Sequence, residues 1–487
     1  MSVEHNINVL LKYSLDNNLI DSYDEDYFRN LLSEFFMIPF ADKEEVISYD
    51  IFSCLKELYA LKKEEYSFEN FTSKVMDILL PRPSQVKNKF LDILKDDSRK
   101  ATDYLYSISI KSVYINEENL KKDIKWKTES IYGDLDITIN LSKPEKDPKE
   151  IAKAKLIKNN INYPKCMLCK ENMGYQGRAS YPAKHNLRFV PLTLNNEDYF
   201  LQYSPYSYFS NHLIVFNKKH IPMVVNRDTF SHLLSFVDMF PHYFLGSNAD
   251  LPIVGGSILT HDHYQGGDRV LPMFFAEDLF EIDVPSFEDI KVTYLKWPLS
   301  VIRLKGKNKE RMISLAEKIL DSFISFEDKE NNIFAFDENG NRHNTITPIA
   351  SKDKDMFVLD LALRNNYTDE DHPLGLYHPH EEYWCIKKEN IGLIEVLGVA
   401  ILPRRLKDSL QWIIEDIKHH KDISSDERVS MHCSWVKNVN TSDLSSLEDN
   451  LKTEIGHTYV KILECCAIFK SEKQARESVL KIINNIR

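Results

Sequence analysis

The chain has 487 residues, enough for two or three domains that each bury a core. Its hydrophobic content of 43% and aromatic content of 11% are those of an ordinary folded protein. A formal net charge of −12 argues against a nucleic-acid binder, which carries a basic footprint, but leaves room for an anionic substrate in a local cationic pocket.

The start, Met1-Ser2-Val3-Glu4-His5-Asn6, lacks the basic stretch and apolar run of a secretory signal. No stretch reaches the roughly 18 uninterrupted apolar residues of a membrane span. Seven cysteines, at 54, 166, 169, 385, 433, 465 and 466, are an odd and scattered set. Together these features predict a soluble cytoplasmic protein whose cysteines are reduced thiols or metal ligands.

Residues 1 to about 125 are rich in helix formers. Asn30–Phe36 and Phe90–Leu94 carry the i, i+3, i+4 apolar spacing of amphipathic helices. Pro81-Arg82-Pro83-Ser84 interrupts the run, and Ser84 is the expected N-cap of a helix starting at Gln85. Charges and prolines between Ser142 and Glu150 mark a solvated connector, which places a boundary near 160. Beyond it the texture turns aromatic and β-branched. Tyr199–Tyr203 and Leu213–Phe216 read as strands, Thr229–Phe244 as a helix and Ser257–Thr260 as a short strand. Residues 286–487 repeat that texture. Asp355–Arg364 and Ile391–Ala400 read as strands, and 407–420 and 444–468 as helices. A second His-x-His, His378-Pro379-His380, lies in this half and suggests a degenerate internal duplication.

The densest chemistry lies in Gly255-Gly256-Ser257-Ile258-Leu259-Thr260-His261-Asp262-His263-Tyr264-Gln265-Gly266-Gly267. Four of the chain's 14 glycines fall in these thirteen positions. On an extended chain His261, His263 and Gln265 share one face, with Asp262 and Tyr264 on the other. The flanking glycines would admit a bulky substrate or supply positive-φ turns. An imidazole can attack phosphorus, and an amide can hold a phosphoryl oxygen. Upstream, Cys166-Met167-Leu168-Cys169 is a Cys-x-x-Cys pair, open to a metal knuckle, a redox pair or chance. A redox pair needs a helix N-terminus in a thioredoxin-like unit, and none is visible. A zinc site needs two further ligands, which His220 and His261 would supply as a Cys₂His₂ set.

The His-x-His-x-Gln core resembles the signature of the nucleotidyl-transferase branch of the histidine-triad superfamily. With its glycines and the phrase Pro252-Ile253-Val254-Gly255-Gly256-Ser257 it resembles one family closely: galactose-1-phosphate uridylyltransferases of the second sequence class, the UDP-glucose–hexose-1-phosphate uridylyltransferases. Pro81–Ser84, Ala101–Tyr104, Tyr132–Leu135, Leu141–Pro148, Gln202–Tyr206 and Lys387–Val396 also look like family phrases, so the resemblance spans nearly the whole chain.

The resemblance implies an α+β fold: a helical N-terminal region (1–160), then a catalytic histidine-triad-like half (161–285) and a second such half (286–487), with antiparallel sheets. It implies a structural zinc on Cys166, Cys169, His220 and His261. It implies that His263 attacks the α-phosphorus of UDP-glucose or UDP-galactose, giving a uridylyl-histidine that a hexose 1-phosphate then resolves. Gln265 would hold the phosphoryl oxygen, and Asn248, Ser257, Arg178 and Arg188 are the candidates for substrate contact. Ser257 and Asn248 stand one and two residues off the family's spacing. A homodimer is implied as well. One departure is visible: Trp384-Cys385 stands where the family has a further pair of histidines, which puts a second metal site in doubt. Two other readings compete. One is a histidine-triad phosphorylase or hydrolase acting on a dinucleotide or nucleotide sugar, against whose hydrolytic form Gln265 speaks. The other is a non-enzymatic zinc-binding interaction module.

Overall fold

The structure, a computed structural model, describes residues 2–142, 163–178 and 181–486. Residues 3–120 form seven helices: α1 (Val3–Asp16), α2 (Glu25–Phe36), α3 (Ile51–Tyr59), α4 (Phe68–Ile78), α5 (Pro83–Leu94), α6 (Ser98–Lys111) and α7 (Glu117–Leu120). The first four close a core of their own around Leu10, Leu32, Leu55 and Phe71. From α5 and α6, Val86, Phe90, Ala101 and Leu105 reach instead into the core of the main sheet. Helix α5 starts at Pro83, two residues before the expected Gln85. Proline lacks the N–H that a first helical residue leaves unpaired, and the Gln85 side chain accepts from the Arg82 N–H at 2.8 Å, so Arg82 rather than Ser84 is the cap. The connector expected at 142–150 lies, beyond Ser142, outside the described residues, as does the boundary near 160.

A ten-stranded antiparallel sheet organises the rest, in the order β3-β4-β5-β7-β6-β11-β12-β10-β9-β8. Its strands are β3 (Val190–Leu194), β4 (Glu197–Tyr203), β5 (Leu213–Asn217), β6 (Tyr243–Gly246), β7 (His263–Asp268), β8 (Asp278–Glu281), β9 (Lys291–Leu295), β10 (Val301–Gly306), β11 (Asn344–Asp353) and β12 (Met356–Asn365). The order is the same pattern twice, each time read inward from an edge. Three strands run as a meander, a helix follows, and of the next two strands the second inserts between the meander and the first. The helices are α8 (Arg227–Met239) and α9 (Lys309–Ile324). The halves meet at β6 and β11, where Gly246 pairs with Ile349 and Leu245 with Ala350. The suspected duplication is therefore visible as topology. His378-Pro379-His380, however, falls in a loop beyond β12 and is not the counterpart of the signature.

One sheet face packs on α8, α9 and the C-terminal helix α14 (Glu472–Asn484), burying Val215, Leu233, Tyr264, Ile313, Leu359 and Val479. The other face meets α10 (Leu393–Val396), α11 (Arg405–Lys418), the short α12 (Cys433–Val436), α13 (Leu447–Cys465) and a small three-stranded sheet. That sheet joins β1 (Ile124–Thr128) and β2 (Leu135–Ile139) to β13 (Val399–Leu402). Helices α11 and α13 match those expected at 407–420 and 444–468.

Three sequence expectations shift. The helix read through Phe244 stops at Met239, because Pro241 cannot continue it, and Tyr243–Gly246 is strand β6. The strand read at Ile391–Ala400 begins as the helical turn α10. Glu395 Oε2 accepts from the Gly392 N–H at 3.1 Å, and Gly398 then turns the chain at φ +92°, where a side chain would strike the Trp297 ring. Ser257–Thr260 is not a strand, and β7 starts at His263.

Candidate active site

Cys166, Cys169, His220 and His261 come together from three separate segments, and their ligand atoms all lie within 4.8 Å of one another. Cys166 Sγ is 3.6 Å from Cys169 Sγ and 3.1 Å from His261 Nδ1, and Cys169 Sγ is 3.2 Å from His220 Nδ1 and 3.8 Å from His261 Nδ1. A tetrahedron with metal–sulfur bonds of about 2.3 Å and metal–nitrogen bonds of about 2.0–2.1 Å has edges of roughly 3.3–3.8 Å. Four of the six donor separations, 3.1–3.8 Å, fall in or close to that range, so the four residues could hold a tetrahedral cation. Supports surround them. Leu168 N–H donates to Cys166 Sγ, Asn172 Nδ2 donates to the carbonyls of Cys166 and Cys169, and Tyr181 Oη donates to Cys166 O. His261 donates from Nε2 to Asn217 O at 2.8 Å, the outer contact that fixes a ligating imidazole. Burial pushes the Cys166 thiol up to about 11, so it keeps its proton unless a cation displaces it. Among the described residues this is the one such group, and His378, His380 and Cys385 assemble none.

His263 opens β7, opposite Phe216, and Gln265 lies opposite Ile214 on one side and Gly246 on the other. Strand parity puts both on one face, as expected. His263 is 6% exposed. Its Nδ1–H donates to the carbonyl of His261 at 2.8 Å, which leaves the lone pair on Nε2. Burial holds its pKa below the usual histidine value, so the ring is neutral. The peptide of a cluster residue therefore sets the tautomer of its neighbour. Gln265 Oε1 accepts from His212 Nε2 at 3.0 Å, which turns the amide NH₂ away from that contact.

Asp262 and Tyr264 point the other way, also as expected. Asp262 Oδ2 accepts from Tyr199 Oη at 2.7 Å and Asn217 Nδ2 at 3.2 Å, and Tyr264 Oη lies 3.0 Å from His232 Nδ1. Sequence reasoning missed Asn217 and His212, which bracket the strand Leu213–Phe216 it did identify. Extending that strand's alternation by one residue at each end would have flagged both as polar groups beside the signature.

The remaining candidates are distributed differently. Asn248 is buried just past β6 and accepts from the Leu393 N–H at 2.9 Å, tying the signature loop to α10. Ser257 is exposed on that loop. Arg178 lies in the cysteine loop, donating to Tyr163 O and Tyr175 Oη and stacking 4.5 Å from the Tyr181 ring centre. Arg188 is not the free cation its sequence context suggests. It is 4% exposed, and Nε, Nη1 and Nη2 donate to Pro81 O, His185 O, Leu187 O and Asp77 Oδ1, so its fork clamps the N-terminal helices.

The signature glycines also have a different employment from the one expected. None of the four has positive φ. What approaches them is protein: a Cβ on Gly256 would lie 2.6 Å from Asn248 Nδ2, and one on Gly267 would lie 2.6 Å from Phe209 Cε2.

A neutral imidazole with a free Nε2 beside a held amide, braced by a metal-type cluster, is the equipment of an enzyme that transfers a charged group. The comparisons with known proteins agree. Residues 29–222 match Galactose-1-phosphate uridyl transferase, N-terminal domain, and residues 236–422 match its C-terminal domain. The Galactose-1-phosphate uridylyltransferase of Clostridium acetobutylicum is 47% identical, covering 99% of both chains. That of Fusobacterium nucleatum is 43% identical, covering 99% of this chain and 98% of the relative. A solved structure, yeast Ap4A phosphorylase Apa2, matches at 13% identity and a TM-score of 0.31 over 60% of this chain and 83% of that one, too weakly to carry an argument. The chain belongs to the galactose-1-phosphate uridylyltransferase family.

Proposed function

We propose that this chain moves a uridylyl group between hexose 1-phosphates by a ping-pong route through His263, with UDP-glucose and UDP-galactose as the sugar nucleotides. The observation that carries the reading is the tautomer of His263: Nδ1–H committed to the His261 carbonyl, Nε2 free, the ring neutral. A neutral imidazole is a nucleophile and a protonated one is not.

In the first step His263 Nε2 forms a bond to the α-phosphorus. The bond from that phosphorus to the bridging oxygen breaks, and the hexose 1-phosphate leaves with the electron pair. The ring is now cationic, which strengthens the Nδ1–H bond to the His261 carbonyl. A second hexose 1-phosphate attacks the phosphorus through a phosphate oxygen, the N–P bond breaks, and the pair returns to Nε2. The proton stays on Nδ1 throughout. Gln265 donates its amide N–H to a non-bridging oxygen as charge gathers there. Being neutral, it offers water no general base, which favours transfer over hydrolysis.

The Cys₂His₂ donor set suits zinc. Bound there, zinc would supply rigidity, tying the cysteine loop to His220 and His261 beside the catalytic imidazole. Ser257 and Arg178 are retained as substrate contacts, while Asn248 is read as holding the site wall. The reading also makes the enzyme a homodimer, as its family resemblance implies, and a cytoplasmic one, as its scattered cysteines suggest. No helix among the described residues is long and apolar enough to cross a membrane.

The test is intact mass after mixing with UDP-glucose and no acceptor. One uridylyl group per chain is expected, and an unmodified chain would sink the route. Supplying inorganic phosphate in place of hexose 1-phosphate then separates a transferase from a phosphorylase.

A further inference from the structure

His212 immediately precedes β5, and strand parity puts its side chain on the face that carries His263 and Gln265. It is 2% exposed. Its one hydrogen-bonded nitrogen, Nε2, meets Gln265 Oε1 at 3.0 Å. An amide oxygen can only accept, so the proton is on Nε2. Nδ1, buried without a partner, then carries a lone pair. With the amide reversed, His212 would instead bury an orphaned N–H, which folded proteins avoid more strictly than an orphaned acceptor.

The imidazole is itself clamped. Its ring centre lies 4.5 Å from that of Phe209 and 5.6 Å from that of Tyr208. Phe209 fits only because Gly267 has no side chain. One of the signature glycines thus acquires a reason. Gly267 admits Phe209, Phe209 braces His212, and His212 aims Gln265. The chain of contacts ends on the one amide whose NH₂ the site needs pointed at phosphorus.

We propose that His212 is a positioning residue for the transfer reaction, holding the Gln265 amide with its NH₂ toward the phosphoryl oxygen. This rests on the reading of His263 and Gln265 given above. The test is a cycle of His212→Phe, Gln265→Ala and the double variant, followed by single-turnover uridylylation with UDP-glucose and by steady-state kinetics. His212→Phe keeps an aromatic ring and removes the donor. It slows uridylylation by about tenfold to a hundredfold, short of the loss of a whole oxyanion donor, with KM within about twofold. In the Gln265→Ala background the same substitution costs under about twofold, because two residues acting as a unit are not additive. His212→Gln, which retains a donor, restores part of the rate. If His212→Phe does not accumulate as folded protein, Gly267→Ala displaces Phe209 and reaches the same contacts from the other end. It should give the same loss, again absent in the Gln265→Ala background. An equal loss in both backgrounds, or no loss, overturns the role of His212 while leaving the nucleophile intact. A wild-type chain that takes up no uridylyl group overturns the underlying reading instead, and this inference with it.

Discussion

Laid over the seam between β6 and β11, the inner strands of the two halves of the sheet correspond in register. Gln265 pairs with Gly246 as Asp360 pairs with Ile349, and Gly246 and Ile349 are themselves the seam pair. Two residues earlier stands His263 in one half and Val358 in the other. Where the first half holds an amide with an imidazole, the second holds a carboxylate with a guanidinium: Arg303 Nε and Nη2 donate to the two oxygens of Asp360 at 2.6 and 3.0 Å. Nη2 also donates to Met273 O at 3.1 Å, so both carboxylate oxygens and two of the three guanidinium nitrogens are engaged within the protein. The second half instead supplies a wall. Leu393 lies over Gly246, and its segment is pinned by Asn248 and by the buried Arg364, which donates to Ile391 O at 2.7 Å. One backbone plan thus carries two different sets of side chains, and on the proposed reading only the first half reacts.

The sharpest way to break this comparison is to remove the one group that only the first half has. His263→Gly should abolish the uridylyl adduct and cost on the order of a millionfold in turnover, the loss seen when comparable nucleophiles are removed. Added imidazole should restore part of it through the space left behind. An adduct that persists in this variant would move the nucleophile elsewhere. Next in size is the cluster. Wild type should hold about one zinc per chain, and Cys166→Ser with Cys169→Ser should hold almost none, by elemental analysis. Unchanged zinc in that variant would detach the metal from the cysteine loop.

A third prediction addresses the silent half. Asp360 is fully buried, so Asp360→Ala strands the Arg303 charge and should cost about 3–5 kcal/mol in denaturant unfolding. Replacing both partners with apolar residues should recover most of it. The uridylylation rate of the folded fraction should not change in either variant. A fall in that rate would mean the halves are coupled in chemistry as well as in packing.

How much of this was legible in the sequence follows from what local pattern can encode. The shared face of His263 and Gln265 needs only strand parity, and the donor set needs only ligand types near a signature. Both were readable, and so was the α+β texture. What was not readable depends on contacts distant in sequence. Arg188 looks like a free cation until Asp77, 111 positions away, closes on it. Gly256 and Gly267 suggest room for a substrate until Asn248 and Phe209 occupy that room. His378-Pro379-His380 imitates the signature in letters, but the sheet assigns that position to Val358 and Asp360. Element ends failed where punctuation outweighed propensity, as at Pro241 and Gly392.

The smallest predicted effect separates two buried imidazoles, one beside Gln265 and one remote from the signature strand. Burial pushes both His212 and His432 down to about 4. His212 contacts Gln265, whereas His432 accepts from the Trp435 Nε1–H at 3.1 Å. An unfolded histidine titrates near 6.5. Between about pH 6.5 and 4 the unfolded chain therefore binds protons that the folded chain refuses, and stability must fall as pH falls through that window. Each residue contributes about 3 kcal/mol that is fully present above pH 6.5 and lost toward pH 4. His212→Phe and His432→Phe should each flatten the pH dependence of unfolding by about one proton between pH 6.5 and 4, and denaturant melts at several pH values measure this directly. At pH 7 the two variants should part company, because only His212→Phe disturbs the amide and slows uridylylation. If His212→Phe retains the full wild-type slope, His212 is not held neutral by folding, and the assignment of its lone proton to Nε2 fails with it.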